Sequence, residues 1–364
     1  MRGKQVDRIF LGIVAILLAA GLLIFTSASL GLLARTGATF SSVALKQFLA
    51  VAIGCLICFL ASKVHYTFWR RWSFYILLLS IFLTLLVFIP KIGLEFGGAK
   101  RWIILGPITF QPAEILKVTF VIYTAAWLSG VKDKVATFKR GVLPTVILIT
   151  IAGVILLNQP DTDTFVSIFL AMLGMFIVAG GRFRDLFILS LLSISGFAAL
   201  IFSRPYLMQR ITTFINPAGD PLGASYQIQQ SLIAIGSGQI FGRGFGQSIQ
   251  KFSYLPEPIG DSIFAVAAEE FGFIGGALLI LLFLFFTLRG LRIAAKAPDP
   301  FSGLLVVGIV ILIVSGSFMN IASMLGVIPL SGLPLFFVSH GGTAMIVTLA
   351  EIGIILNVSR FKKS

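Results

Sequence analysis

The sequence predicts an all-α integral membrane protein, a bundle of about ten transmembrane helices with a large extracytoplasmic loop between the seventh and eighth. Three observations predict it. Of 364 residues, 57% are hydrophobic and only 12% charged, where soluble domains carry about 25% charged residues; the mean hydropathy is +1.02. Apolar runs long enough to cross about 30 Å of hydrocarbon recur along the whole chain. Those runs are continuous rather than alternating, which selects helices over barrel strands.

Ten runs are expected, at about 9–29, 45–62, 72–90, 112–130, 141–157, 163–180, 184–202, 262–288, 303–325 and 340–358. The first follows Arg2, Lys4 and Arg8 as a signal peptide would, but its apolar stretch is too long, so it is read as an uncleaved helix. The second holds Cys55 and Cys58, the only two cysteines. A CxxC alone in mid-span reads as packing rather than a redox or metal site. All ten spans form one membrane domain over 1–364, with the loop at 203–261 as its largest excursion.

The charge fits this picture. The net charge is +14, which in a soluble protein would suggest nucleic acid. With both termini placed in the cytoplasm, however, the inner segments carry about twice as many Lys and Arg as the outer ones, which is the positive-inside bias. Anionic lipid headgroups are the partners this implies; nucleic acid is not expected.

The remaining polar residues gather on the outer side. The long loop contains "GASYQIQQSLIAIGSG" (223–238), which reads as an amphipathic helix at the membrane surface. The Pro/Gly-rich stretch 326–339 reads as a segment dipping back into the bundle. "GSGQIFGRGFGQS" (236–248) lacks the spacing and the preceding strand of a nucleotide loop.

Several side chains are candidates for chemistry, each with a structural alternative. Asp261 precedes the eighth span and is either a helix cap or a general base at a water-facing cleft. Glu114 suits the first turn of the fourth span, and Lys117, three residues on, shares its face. An ion pair inside a membrane commonly lines a ligand path. Lys100 and Arg101 precede Trp102 at the outer interface, where they serve as anchors or capture an anion. Arg204 and Arg210 offer the same choice. Asp161 and Asp163 suit a cap of the sixth span, or a site for a divalent cation held with Asp261 or a pyrophosphate. Glu269, Glu270 and Glu351 are read as structural acids.

The motifs "GAKRWIILGPITFQPAEILKV", "NQPDTDTF", "RITTFINPAGDPLGASYQIQQSLIAIGSGQIFGRGFGQSIQKFSYLPEP", "DSIFAVAAEEFGFIGG" and "PLFFVSHGGTAMI" resemble, in that order, the SEDS family (shape, elongation, division and sporulation). Their wording is closer to the cell-division (FtsW) branch than to the elongation (RodA) branch. The resemblance covers essentially the full length. It implies a ten-span peptidoglycan glycosyltransferase of the bacterial cytoplasmic membrane, polymerising lipid II into a nascent glycan strand at the outer face. It also implies a class B penicillin-binding transpeptidase as partner. The family's essential aspartate falls on Asp261, its fourth-span acid and lysine on Glu114 and Lys117, and its outer arginine on Arg101. Where the family has His-Thr before the aspartate, this chain has Ile259-Gly260. Where it has Asp-Leu-Gly-Thr, this chain has Asp161-Thr162-Asp163-Thr164.

The expected mechanism makes Asp261 the catalytic base. The substrate-binding set is Lys117, Glu114, Arg101, Lys100, Arg210 and Asp161. No cofactor is fixed; Mg²⁺ or Mn²⁺ on the pyrophosphate is the cation this chemistry suggests. The alternatives are a lipid II flippase, which needs polar, interrupted helices at mid-membrane, and a non-catalytic scaffold for the transpeptidase.

Overall fold

The computed structural model describes residues 5–361 except 37–39, 97–98, 106–107, 218, 221–222 and 224. Arg2, Lys4, Lys362 and Lys363, counted in the charge argument, lie outside the described residues. Thirteen α-helices are described: α1 (Arg8–Thr36), α2 (Phe40–Lys63), α3 (Tyr66–Leu85), α4 (Pro112–Val131), α5 (Leu143–Asn158), α6 (Thr162–Val178), α7 (Phe183–Ser203), α8 (Pro205–Ile215), α9 (Tyr226–Ser237), α10 (Gln250–Ser253), α11 (Ile263–Ala295), α12 (Pro300–Met324) and α13 (Gly342–Arg360). The chain is a multi-pass membrane protein.

Among the described residues, nine helices are long and apolar enough to cross a membrane, one fewer than the ten expected. The sixth span is present as α6 but has only 17 residues, roughly 26 Å at 1.5 Å per residue. It does not need full lipid-facing length because it is an inner helix, packed on α4, α5 and α12, with Ile168, Ala171, Met172, Met175 and Phe176 fully buried. α4, α12 and α13 are the other largely enclosed spans, whereas α7 meets the surroundings over most of its surface.

The expectation of an all-helical chain misses one element. Between α3 and α4 lies a three-stranded antiparallel sheet, ordered β1 (Gly93–Phe96), β2 (Ala99–Leu105), β3 (Ile108–Phe110). Lys100, Trp102 and Ile104 alternate with Ala99, Arg101 and Ile103 along β2, and Ala99 and Ile103 are buried. Side chains on a strand point alternately to its two faces, so Arg101 faces the protein and Lys100 faces away.

Following the chain from helix to helix places the sheet, the α5–α6 turn, the 203–262 loop and the 325–341 segment at one end of the bundle. Among its described residues the long loop forms α8, α9 and α10. Its expected amphipathic helix is α9, which buries Ile228, Ser231 and Ala234 and packs against α11 and α12. The Pro/Gly-rich stretch does enter the bundle: Leu333, Leu335, Phe336, Phe337 and Val338 are buried.

α11 is interrupted. Gly272 has φ 67° and ψ −166°, and the loop before it fills the break. Arg243 and Gly244 N–H donate to the carbonyls of Glu269 and Glu270, while Phe273 and Ile274 N–H donate to those of Gln239 and Ile240. Glu270 pairs with buried Lys251 at 2.6 Å. Glu269 accepts from Ser248 Oγ (2.6 Å), Ile249 N (3.1 Å) and Gln250 N (3.3 Å). These acids are structural, as expected, and clamp the loop to the helix.

Candidate active site

Asp261 sits between the end of the long loop and α11. The cap reading does not hold: the N-cap residue is Ser262, without a side-chain cap bond. Asp261 is held instead by its backbone. Its carbonyl accepts from Asn320 Nδ2 (2.7 Å), which also bonds the Leu333 carbonyl (2.9 Å). Just before it, the Gly260 carbonyl accepts from Ser339 Oγ (2.8 Å) and the Ile259 carbonyl from His340 N (2.7 Å). α12 and the re-entrant segment thus fix the backbone and leave the carboxylate free to face a cavity.

That cavity, of about 480 Å³, is lined by Asp261, Arg101, Arg210, Tyr206, Gln209 and Gln227, with Pro160, Ser331 and Gly332. Arg101 is aimed by its strand and anchored by hydrogen bonds from its guanidinium to the carbonyls of Gln159 (3.2 Å) and Pro160. Arg210 projects from α8 and forms an ion pair with Asp163, Nη1 to Oδ2, at 3.0 Å. Gly332 N donates to the same carboxylate oxygen (2.9 Å). A methyl group placed on Gly332 would lie 3.6 Å from Asp163 Oδ2, 3.9 Å from Asp261 Oδ2 and 4.0 Å from Arg101 Nη1. Two acids and two arginines therefore converge around one glycine.

The electrostatics suit a base. Burial pushes the Asp261 carboxyl up to about 7; the nearby Glu257 and Asp163 charges add to this, and Arg210 and Arg101 oppose it. Burial also raises Asp161, against the pull of Arg101.

The expected site residues divide. Asp261, Arg101 and Arg210 come together on the cavity. Asp161 does not line it: it caps α6, accepting from Thr164 N at 3.4 Å, and Asp163 is the acid bonded to two lining residues, Arg210 and Gly332. Lys100 is on the outer face of β2, paired loosely with Glu95 at 3.7 Å. Glu114 and Lys117 form an ion pair at 2.7 Å, each 3% exposed, inside the bundle rather than on the cavity. Lys117 lies 4.3 Å from the centre of the Phe336 ring, and buried Glu351 is the third ionisable group beside them. Asp163 had a sequence signal, the doubled acid of "DTDT". Tyr206 and Gln227 had none, because only folding of the long loop brings them to Asp261; Glu257 is brought there by a local turn, its carbonyl accepting from Gly260 N (3.0 Å) and Ser262 N (3.1 Å).

Among the described residues, no three His, Cys, Asp or Glu side chains cluster as a metal site. A larger cavity of about 880 Å³ lies at the other end of the bundle, lined by apolar groups, Ser129 and Asp299. Asp299 is occupied there as the cap of α12.

A family profile described as "Cell cycle protein", that of FtsW, RodA and SpoVE, matches residues 7–364. The chain belongs to this family. A FtsW/RodA/SpoVE relative, stage V sporulation protein E of Bacillus subtilis (strain 168), is 41% identical over 318 residues, 87% of each chain. The probable peptidoglycan glycosyltransferase FtsW of Geobacter sp. (strain M18) is 36% identical over 358 residues, 98% of each. Among solved structures, a chain from work on the structural coordination of polymerization and crosslinking by a peptidoglycan synthase complex matches with TM-score 0.81 and 25% identity over 98% of each chain. Rod shape determining protein RodA of Thermus thermophilus has TM-score 0.74 at 24% identity, covering 99% of this chain and 98% of that one, and shares the fold.

Proposed function

We propose that this FtsW/RodA/SpoVE-family protein is a peptidoglycan glycosyltransferase, polymerising lipid II at the outer face of the bacterial cytoplasmic membrane, with both termini cytoplasmic. The observation that carries the reading is the convergence of Asp261 with Arg101 and Arg210 on one cavity at the loop-rich end of the bundle.

The acceptor's 4-hydroxyl oxygen attacks the donor's anomeric carbon, the bond from that carbon to the pyrophosphate oxygen breaks, and the hydroxyl proton passes to Asp261. A carboxylate with a raised pKa accepts that proton near neutral pH. Arg101 and Arg210 face the departing pyrophosphate, where negative charge develops. Holding both lipid-linked sugars in one bilayer raises their effective concentration. A divalent cation would rest on Asp261 and Asp163 together with pyrophosphate oxygens, as Mg²⁺ commonly uses one or two carboxylates plus phosphate. A class B penicillin-binding transpeptidase would cross-link the product.

Two features favour transport: the buried Glu114–Lys117 pair with Glu351, and the interrupted α11. Its freed backbone groups are satisfied by residues 239–244, however, and open onto no cavity among those described. The deciding experiment incubates purified chain with labelled lipid II, with and without the transpeptidase and with and without EDTA, beside a vesicle flipping assay. Glycan polymer that muramidase digests is expected. Flipping without polymer would make the protein a transporter, and neither activity would make it a scaffold.

A further inference from the structure

At the end of the bundle opposite Asp261, the α4–α5 connection folds into a site the glycosyltransferase reading does not use. Sequence 130–144, "GVKDKVATFKRGVLP", holds four cations and one acid. α4 runs into a short 3-10 turn at Lys132–Ala136 and then one π-helical turn at Phe138–Val142. Single π turns recur at functional sites. A recess of about 550 Å³ lies between these turns, lined by Trp127, Lys134, Lys139, Arg140, Gly130 and Pro144.

The recess is built rather than a chance gathering of surface charge. Trp127 Nε1 donates to the Arg140 carbonyl at 3.0 Å, fixing the indole and the arginine backbone together. Gly141 lets the two turns close: a Cβ there would lie 1.7 Å from the Val135 carbonyl oxygen. Val135 is buried beneath, while Lys134, Lys139 and Arg140 are exposed at the rim. No ion pair to these three is formed among the described residues. Phe138, 67% exposed, projects from the same turn. Three cations with no ion pair among the described residues, an interfacial tryptophan and an exposed phenylalanine match a molecule with an anionic head and an apolar tail.

We propose that this recess binds the phosphodiester headgroup of an anionic phospholipid in the leaflet opposite the Asp261 cavity. Lys134, Lys139 and Arg140 hold the phosphate oxygens, and Trp127 and Phe138 flank the glycerol and upper acyl chains. A general excess of inner-face cations explains their number; it does not explain a recess closed by Gly141 and an indole tied to Arg140.

The test is native mass spectrometry of the full chain with phosphatidylglycerol, phosphatidylcholine or soluble glycerol phosphate. Phosphatidylglycerol should be retained, phosphatidylcholine should not, and glycerol phosphate should not displace the lipid. Each cation near an anionic headgroup is worth about five-fold in affinity. Lys134→Gln, Lys139→Gln and Arg140→Gln together should therefore cut retention by roughly two orders of magnitude. Lys134→Arg with Lys139→Arg should keep it, and thermal midpoints in detergent without anionic lipid should agree, which sets misfolding aside. The control is a triple variant at the same end of the bundle: Lys63→Gln, Arg71→Gln and Arg184→Gln. Equal loss in that control, equal retention of phosphatidylcholine, or displacement by glycerol phosphate would each overturn the site.

Discussion

The Asp261 carboxylate accepts no hydrogen bond among the described residues, which is why burial can raise it to about 7. Two consequences have opposite signs. In the proposed mechanism the ionised form acts as the base, so polymerisation should rise with pH through about 7 and level off above it. Folding runs the other way: the raised group contributes stability that is full below its unfolded value of ~4 and is lost as pH climbs through about 7. Asp261→Asn should cut polymerisation by about 10²–10⁴-fold. Its stability advantage over the wild type should grow across that window, seen as thermal midpoints that converge in acid and part above neutrality. Exposed Glu257 is the first-ranked charge among those raising Asp261. Glu257→Gln should move the rising limb of the pH–rate profile to lower pH; an unmoved limb would show that desolvation alone sets it. Arg101 against Lys100 shows what was legible at this scale. Both were candidates as adjacent outward cations, and only the two-residue period of β2 separates them.

Among the elements, α11 and the loop that fills its break show the limits of sequence reading most clearly. Glu269 and Glu270 are recognisable as costly buried acids, and their structural role follows from that cost. Their partners Ser248 and Lys251 are about twenty residues away through glycines whose purpose is invisible until the loop docks. Gly272 requires its positive φ, and a Cβ there would lie 2.3 Å from Gly242 N and 2.5 Å from the Ile240 carbonyl oxygen. Gly272→Ala should therefore lower the thermal midpoint and open residues 238–253 to protease, with unchanged nicking as the contrary result. α4 makes a second case. Helical spacing predicts the Glu114–Lys117 pair, but that the pair sits off the cavity depends on α13 and Phe336 closing over it. Lys117→Met leaves Glu114 and Glu351 facing each other uncompensated, a loss of about 3–5 kcal/mol. Adding Glu114→Gln should recover most of it in chemical denaturation, and failure to recover would mean that Lys117 is needed by Glu351 instead.

For the whole molecule, hydropathy made the spans legible because lipid demands the same apolar length wherever a helix faces it. α6 escaped that measure since its neighbours, rather than lipid, surround it. The site was half legible: its charges stand out in an apolar chain, but which of them meet is decided by the fold of the long loop and the re-entrant segment. The same asymmetry bears on orientation. The Asp261 cavity, the sheet and the long loop share one end, and the cation-rich turns at Lys63–Arg71, Lys134–Arg140 and Arg289–Lys296 share the other. If positive charge marks the cytoplasmic side, the cavity opens outward, where a lipid-linked sugar already carried across the membrane would be met. In a variant lacking Cys55 and Cys58, single cysteines at Lys91 and Gly219 should react with an impermeant thiol reagent added to intact cells. Cysteines at Thr137 and Lys296 should react only after the membrane is opened. All four positions are at loops or helix ends, so silence reports sidedness rather than burial in a span. Labelling of Thr137→Cys from outside, with Gly219→Cys protected, would turn the molecule over and place the Asp261 cavity on the cytoplasmic face.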